Sequence, residues 1–264
     1  MRGSRAQLLR ALALGVVVST GALQPCTAKE PLATQPGLEL GLQASHYKYD
    51  EPGFMKLLGN RGGVTGAYTF TNAYRVFSRI DVRGSYGRLK FQGASGTSEN
   101  IPDLIVESRA VVGIDVPVSG RLWLSPFVGF GLRYLYDDLR GYNSANAKVG
   151  YRRESTYAYA PIGVALRLGL GERWVLVPSI EADVFISGRQ TTHLSDLGTG
   201  TSDVMNSQDR GKGYRGSLTL ERDRWAVGAW MHYWHVRDSD AQTGGVYVPA
   251  NFTRESGLEI RYRF

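Results

Sequence analysis

Cysteine is nearly absent: Cys26 is the only one in 264 residues. A disulfide framework is therefore excluded. If the first 28 residues are removed on export, a thiolate nucleophile and a cysteine-ligated metal site are excluded too. Beyond Leu23 no apolar run approaches the roughly 20 residues of a membrane-spanning helix. Lysine-rich runs are also missing. The formal charge of +7 falls to +4 once Arg2, Arg5 and Arg10 are set aside, which gives no case for a nucleic-acid partner. Glycine, at 33, and tyrosine, at 15, are abundant, in a chain whose apolar residues alternate along most of its length.

The start reads as an export leader. MRGSRAQLLR carries three arginines and no acid, the apolar stretch Ala11 to Leu23 follows, and QPCTAKEP closes it with small residues at Cys26 and Ala28. Cleavage is expected after Ala28, leaving 29–36 as a short periplasmic segment and 37–264 as the folded unit. The apolar stretch is too short for a comfortable anchor. A lipidated Cys26 is the other reading. Leu23 stands at the right distance before it, but Pro25 occupies a position that normally takes a small residue.

Alternation carries the fold assignment. In Arg121 to Asp137 one parity reads Leu122, Leu124, Pro126, Val128, Phe130, Leu132, Tyr134 and Tyr136. The other reads Trp123, Ser125, Phe127, Gly129, Gly131, Arg133, Leu135 and Asp137. The first set suits lipid tails, the second a crowded interior, and a strand crossing a bilayer needs about 9–11 such residues. Ten segments follow this rule: 37–49, 62–71, 74–87, 103–116, 121–137, 154–170, 173–187, 213–222, 224–236 and 252–264. Pro178, within the seventh, predicts a bulge or a local loss of pairing.

Connections at 71–73, 117–120, 171–172 and 222–223 are short, and those at 50–61, 88–102, 138–153, 188–212 and 237–251 are long. Aromatic residues bracket the apolar faces: Phe70, Tyr74, Trp174, Trp225, Tyr262 and Phe264 on one side, Tyr86, Tyr134, Tyr136, Tyr214 and Tyr233 on the other. An all-β, single-chain antiparallel transmembrane barrel of ten strands is predicted, with short periplasmic turns and long extracellular loops. A soluble sandwich would explain the alternation but not the paired aromatic belts.

The terminal segment FTRESGLEIRYRF resembles the closing strand of bacterial outer-membrane barrels, with Leu258, Ile260 and Tyr262 alternating outward and Phe264 last. The resemblance covers the architecture of the whole segment 37–264. It implies a Gram-negative outer-membrane location and recognition of those four residues by the barrel-assembly machinery. Lipid and lipopolysaccharide are the implied surroundings. Tyr47 to Tyr68, with Glu51-Pro52 and Met55, is similar to the first hairpin of small outer-membrane barrels without an assigned role.

Ten strands also invite comparison with the omptin proteases, which carry an acidic pair and an Asp-x-His pair on facing walls. Asp137-Asp138 and Asp238-Ser239-Asp240 offer acids here, but no Asp-x-His exists. His193 and Ser195 have the spacing of a lipid A deacylase pair, in a polar loop where no strand is expected to fix them. His232 and His235, at i and i+3, fall on opposite faces of a strand and cannot share a metal ion without a bend.

Inward parities are expected to carry ions: Arg79, Asp81, Arg83, Glu107, Arg109, Arg133, Arg167, Glu181, Asp183, Arg215, Glu221, Glu259 and Arg261, with Glu39, Arg75, Glu255 and Arg263 beside them. Both signs occur in comparable number, so these groups must pair or meet water. Arg167 is expected to neutralise Glu181 and Asp183 from the neighbouring strand. Arg133, Trp230 and Trp234 would further obstruct the lumen. The expected protein is a monomeric, non-catalytic barrel, without cofactor or metal, in a structural or adhesin-like surface role through loops such as 188–212. A narrow porin-like pore and an enzyme acting on lipid or peptide are the alternatives.

Overall fold

The computed structural model describes residues 32–94, 96–140, 150–198, 200–242 and 245–264. The expected leader, with Cys26, lies outside the described residues. Twelve strands follow in order: β1 (Gly37–Glu51), β2 (Met55–Thr71), β3 (Val76–Gly93), β4 (Gly96–Ile114), β5 (Val116–Ser119) and β6 (Leu122–Asp138). Then come β7 (Arg152–Gly169), β8 (Trp174–Thr192), β9 (Val204–Gln208), β10 (Gly211–Arg222), β11 (Trp225–Val236) and β12 (Asn251–Arg263).

They build ten staves. β5 carries β4 past a break at Asp115 and goes on pairing β6, while β9 and β10 pair successive stretches of β8. All neighbours are antiparallel, and β1 pairs both β2 and β12, so the sheet closes. Closure is obligatory in hydrocarbon, where an unpaired edge group costs several kcal/mol.

Around the middle of the wall the side chains divide as the alternation predicts. On β6, Val128, Phe130 and Leu132 are exposed outward, whereas Trp123, Ser125 and Arg133 are buried inward. Leu42, Val64, Ile180, Met231 and Leu258 continue the apolar belt around the outside, each at least 60% exposed, so the belt is built to meet lipid rather than protein. Inward glycines admit large neighbours. A Cβ on Gly131 would strike the Tyr159 ring, and one on Gly163 the Phe127 ring. Pro178 stays on the outward parity opposite Leu218. The ladder to β7 resumes in unchanged register on either side of it, so the effect is lost pairing without a bulge.

Away from the chain ends the barrel is taller than the alternation indicated. Segments 50–61 and 88–102 are mostly strand: β1 and β2 meet at a turn over 52–54, with Gly53 at φ +82°, and β3 and β4 stay paired as far as Gly93 with Gly96. The cause is an inversion of face chemistry along each stave. Outward positions on β1 run Leu38, Leu40, Leu42 and then His46, Lys48, Asp50, while inward ones run Glu39, Gln43, Ser45 and then Tyr47, Tyr49. β3 does the same, with Arg88 and Lys90 outward and Leu89 buried. Above the belt the outer face meets water, so the chain reverts to the pattern of a soluble barrel.

Smaller departures have local reasons. Arg75 adopts φ +62° in the 72–75 turn, so it lies exposed at the rim, with its guanidinium 5.1 Å over the ring of the inward Trp123. Segment 188–212 is extended on both sides of one 3₁₀ turn, Leu194–Leu197, because β8 and β9 pair across it. At the end bearing the chain termini, connections are short: 72–75, 120–121, 170–173 and 223–224.

Replacing Val128 by Arg is expected to lower the free energy of unfolding from bilayers by about 2–4 kcal/mol, while Val128→Ala is mild. Gly129→Ala should destabilise although alanine is apolar, because its Cβ would run into the Ala110 carbonyl oxygen. Urea titration in lipid vesicles distinguishes them; equal effects of alanine at 128 and 129 would refute the face assignment.

Candidate functional site

The inward parity stacks chemistry in layers along the lumen. Nearest the termini the chain before β1 turns into the barrel. Leu32 packs on Trp123, Val175 and Val177, and the Thr34 backbone N–H and hydroxyl both donate to the Asp115 carboxylate, at 2.6 and 2.9 Å. Asp115 also accepts from Ser125, which accounts for the break between β4 and β5. Arg167 donates to the Leu32 carbonyl at 2.7 Å and to Glu221 at 2.8 Å.

Arg167 therefore does not serve Glu181 and Asp183. The β7–β8 register sets Gly163 beside Glu181, leaving Arg167 near the level of Val175 and Val177, too close to the termini. Arg215 of β10 takes that role, 2.7 Å from Asp183 and 3.1 Å from Glu181.

Next, Glu39 gathers Arg79 at 2.9 Å and Arg263 at 2.8 Å, with Arg261 at 3.9 Å from Glu39 and 3.2 Å from Glu259. Arg109 bridges Asp81 at 2.9 Å and Glu181 across the lumen. In the middle, Glu107 accepts from Arg83 at 2.8 Å, from Arg215 and from the Tyr159 hydroxyl at 2.6 Å. Arg83 also reaches Glu255 at 2.7 Å, and Ser45 donates to the same carboxylate. Apart from Arg261, whose short contact is to Glu259 of its own strand, each of these arginines bonds to a carboxylate on a different stave, so the ion pairs act as cross-ties. Arg133 is buried with its guanidinium 5.5 Å over the Trp234 ring.

Beyond the middle lie residues the alternation had assigned to loops or left unremarked. Arg61 pairs Asp103 and lies 3.2 Å over the Tyr47 ring. Arg153 reaches Asp137 at 3.0 Å and Glu51 at 2.8 Å, and Glu51 accepts from Tyr49 at 2.6 Å. Tyr47, Tyr49, Leu57, Leu89, Ile101 and Ile105 then form an apolar cluster inside the far end. The same period-2 alternation, continued with its polarity reversed, was the available signal for all of them.

The pairs singled out for catalysis or metal binding are separated. Asp137 faces in towards Arg153, whereas Asp138 is held by Arg140 at 2.8 Å. His232 stacks on Trp230 within the lumen at 4.6 Å, and His235 on Phe252 at 4.4 Å on the opposite face. Among the described residues no three His, Cys, Asp or Glu side chains are grouped to hold a metal ion.

Segment 193–203 is better fixed than its composition indicated. Arg152 clamps Asp196 through two 2.9 Å bonds, and Asp203 accepts from the Ser195 hydroxyl and lies 2.7 Å from His193 Nδ1. The hydroxyl is thus engaged with the carboxylate and not with the imidazole. Bonding to Arg152 holds the Asp196 carboxyl below the ordinary aspartate value, and bonding to Ser195 does the same for Asp203. At the chain end Leu258, Ile260 and Phe264 point outward, and Tyr262 meets Trp225 with ring centroids 4.8 Å apart.

Glu107→Gln should cost about 3–5 kcal/mol in vesicle urea titrations, since it strips a buried partner from Arg83 and Arg215. Glu99→Gln, at the exposed Lys90 pair, should cost less than about 1 kcal/mol. A depressed carboxyl pKa stabilises docking above the ordinary value near 3.9 and loses that contribution as pH falls through the folded value. Amides of 194–208 should therefore exchange faster at pH 3 than at pH 7 after correction for intrinsic rates, and Asp196→Asn should loosen them already at pH 7. Unchanged protection at pH 3 would contradict this.

No protein-family model matches the chain, and no curated protein sequence does. Among solved structures, the outer-membrane protease OmpT from Escherichia coli superposes with a TM-score of 0.57 at 9% identity, over 86% of this chain and 95% of that one. The translocator domain of the autotransporter NalP from Neisseria meningitidis gives 0.47 at 14% identity, over 88% and 90%. Neisserial surface protein A gives 0.38 at 11%, over 86% and 97%. At 9% identity the likeness to the protease is one of fold alone. Closed, ten-staved and belted with outward apolar side chains, the chain is a β-barrel of the bacterial outer-membrane type and resides in that membrane.

Proposed function

We propose that this protein is a non-catalytic outer-membrane barrel, closed along its lumen, that works by adhesin-like surface contact through its far-end hairpins and loops. The supporting observation is the tie between Glu51 of β1 and Arg153 of β7, five staves apart in a barrel of ten. It spans the bore, with the apolar cluster at the same end and the layered ion pairs beyond it. In this reading the far end faces outside, where Lys48, Lys56, Arg88 and Lys90 meet anionic lipopolysaccharide. The short turns face the periplasm, the protein is monomeric, and Leu258, Ile260, Tyr262 and Phe264 serve as the assembly signal.

Two contacts support the non-catalytic part. Ser195 is bonded to Asp203 instead of an imidazole, and Asp137 is neutralised by Arg153. A second reading, a narrow passage for small solutes, draws on a cavity of about 260 Å³ between the Thr34–Gln35 segment and the middle ion layer.

Purified barrels in planar bilayers should show no steady conductance. A stable single-channel level would overturn the closed-lumen reading and favour the passage. Excision of 194–203, with heat-modifiable gel migration retained, should lower attachment of barrel-bearing cells to matrix-coated surfaces. Undiminished attachment would remove the surface role from this loop.

A further inference from the structure

The cavity of about 260 Å³ has two unlike sides. On one, formed by β4, β6, β7, β8 and β10, polar groups are engaged: Arg109 holds Glu181, Arg167 holds Glu221, and Ser179 and Ser217 share a 2.8 Å bond. The other side is formed by β11, β12, β1, β2 and β3. There Trp230 Nε1, Arg261 Nε, Arg83 Nη1, Thr65 Oγ1 and His232 Nδ1 are buried without a hydrogen-bond partner, and all five residues line the cavity. Trp230 is only 8% exposed, and the Arg83 guanidinium lies 5.0 Å over its ring, so these two donors are neighbours. In register, Thr65 stands opposite both Arg83 and Gly41, and Gly41 stands opposite Arg261, which with Trp230 on β11 carries the set across five adjacent staves.

Three of these groups only donate, and burying them unmatched is costly. The acids of the chamber are already taken, Glu39 by Arg79 and Arg263, Asp81 by Arg109 and Glu259 by Arg261 Nη1, so Arg261 Nε, 3.9 Å from Glu39, keeps no hydrogen bond of its own. The missing complement is an acceptor. Since two of the donors belong to guanidinium groups, an anionic acceptor would gain charge-assisted bonds. The volume lies just below the usual range of small-molecule pockets, which restricts the occupant to a short molecule. Thr34 and Gln35 line the side nearest the termini, periplasmic in the proposed orientation.

We propose that this half-wall of unmatched donors is a binding site for a small carboxylate, a short mono- or dicarboxylate, with the segment before β1 as its cover. The site needs no through-passage and stands whether or not the barrel conducts.

Titration calorimetry on the refolded full chain in detergent tests it, with succinate as probe and glucose as the neutral control. Succinate should bind saturably at one site per barrel, and glucose should not. Trp230→Phe keeps the ring and deletes the N–H, and Arg261→Gln removes the charged donor. Each should weaken succinate by about tenfold or more, while Lys90→Gln, on the outer surface, leaves it unchanged. Trp230→Phe carries the test if Arg261→Gln fails the gel-shift assay for folding. Succinate binding no tighter than glucose, or equal binding by wild type and Trp230→Phe, would overturn the proposal. Inorganic phosphate binding in place of succinate would overturn the ligand class.

Discussion

Backbone hydrogen bonding in hydrocarbon is the constraint on which this structure rests. A sheet can enter a bilayer only if its last strand returns to its first, and here β12 lies along β1 for twelve paired residues, Glu39 with Arg263 through Asp50 with Phe252. Once the sheet is closed, the pleat leaves two environments at the level of the apolar belt: lipid on one parity, the lumen on the other. Leu42 and Gln43, adjacent in sequence, meet opposite solvents for this reason.

The narrow lumen then imposes its own condition. Ionic side chains held away from water must be paired, and the pairs found link staves that are distant in sequence: Arg83 with Glu255, Arg109 with Glu181, Arg215 with Glu107. Such ties stabilise the shape of the cross-section as well as individual charges. They also explain the many inward glycines, since a bore crowded with arginine and tryptophan has room for them only where a neighbour such as Gly131 or Gly257 presents no Cβ. The half-wall of Trp230, Arg83, Thr65 and Arg261 is where this matching of donors and acceptors is left incomplete.

Much of the fold was legible because lipid contact writes a simple period into the chain. All ten staves, their order and the short turns near the termini follow from apolar residues at every second position, as at Leu124, Val128 and Ile180. Outward apolar residues stop where the lipid belt stops, so that pattern alone closes β1 near Tyr49 and opens β2 at Gly62, although the same alternation continues with polar groups outside. Arg61, Glu51 and Arg153 were hidden for that reason. The partner of Asp183 was misjudged for another reason: adjacency of staves was known, but the register that carries Arg167 past Glu181 was not.

The sequence by itself determined which residues face lipid, how many staves there are and that both signs of charge line the interior, because each depends only on parity along a strand. Tertiary structure alone decided which arginine meets which carboxylate, that Asp115 captures Thr34 near the termini, and that Glu51 crosses the bore to Arg153 at the far end. Those outcomes depend on stagger and curvature, which bring together residues more than 80 positions apart and leave no local trace in the chain.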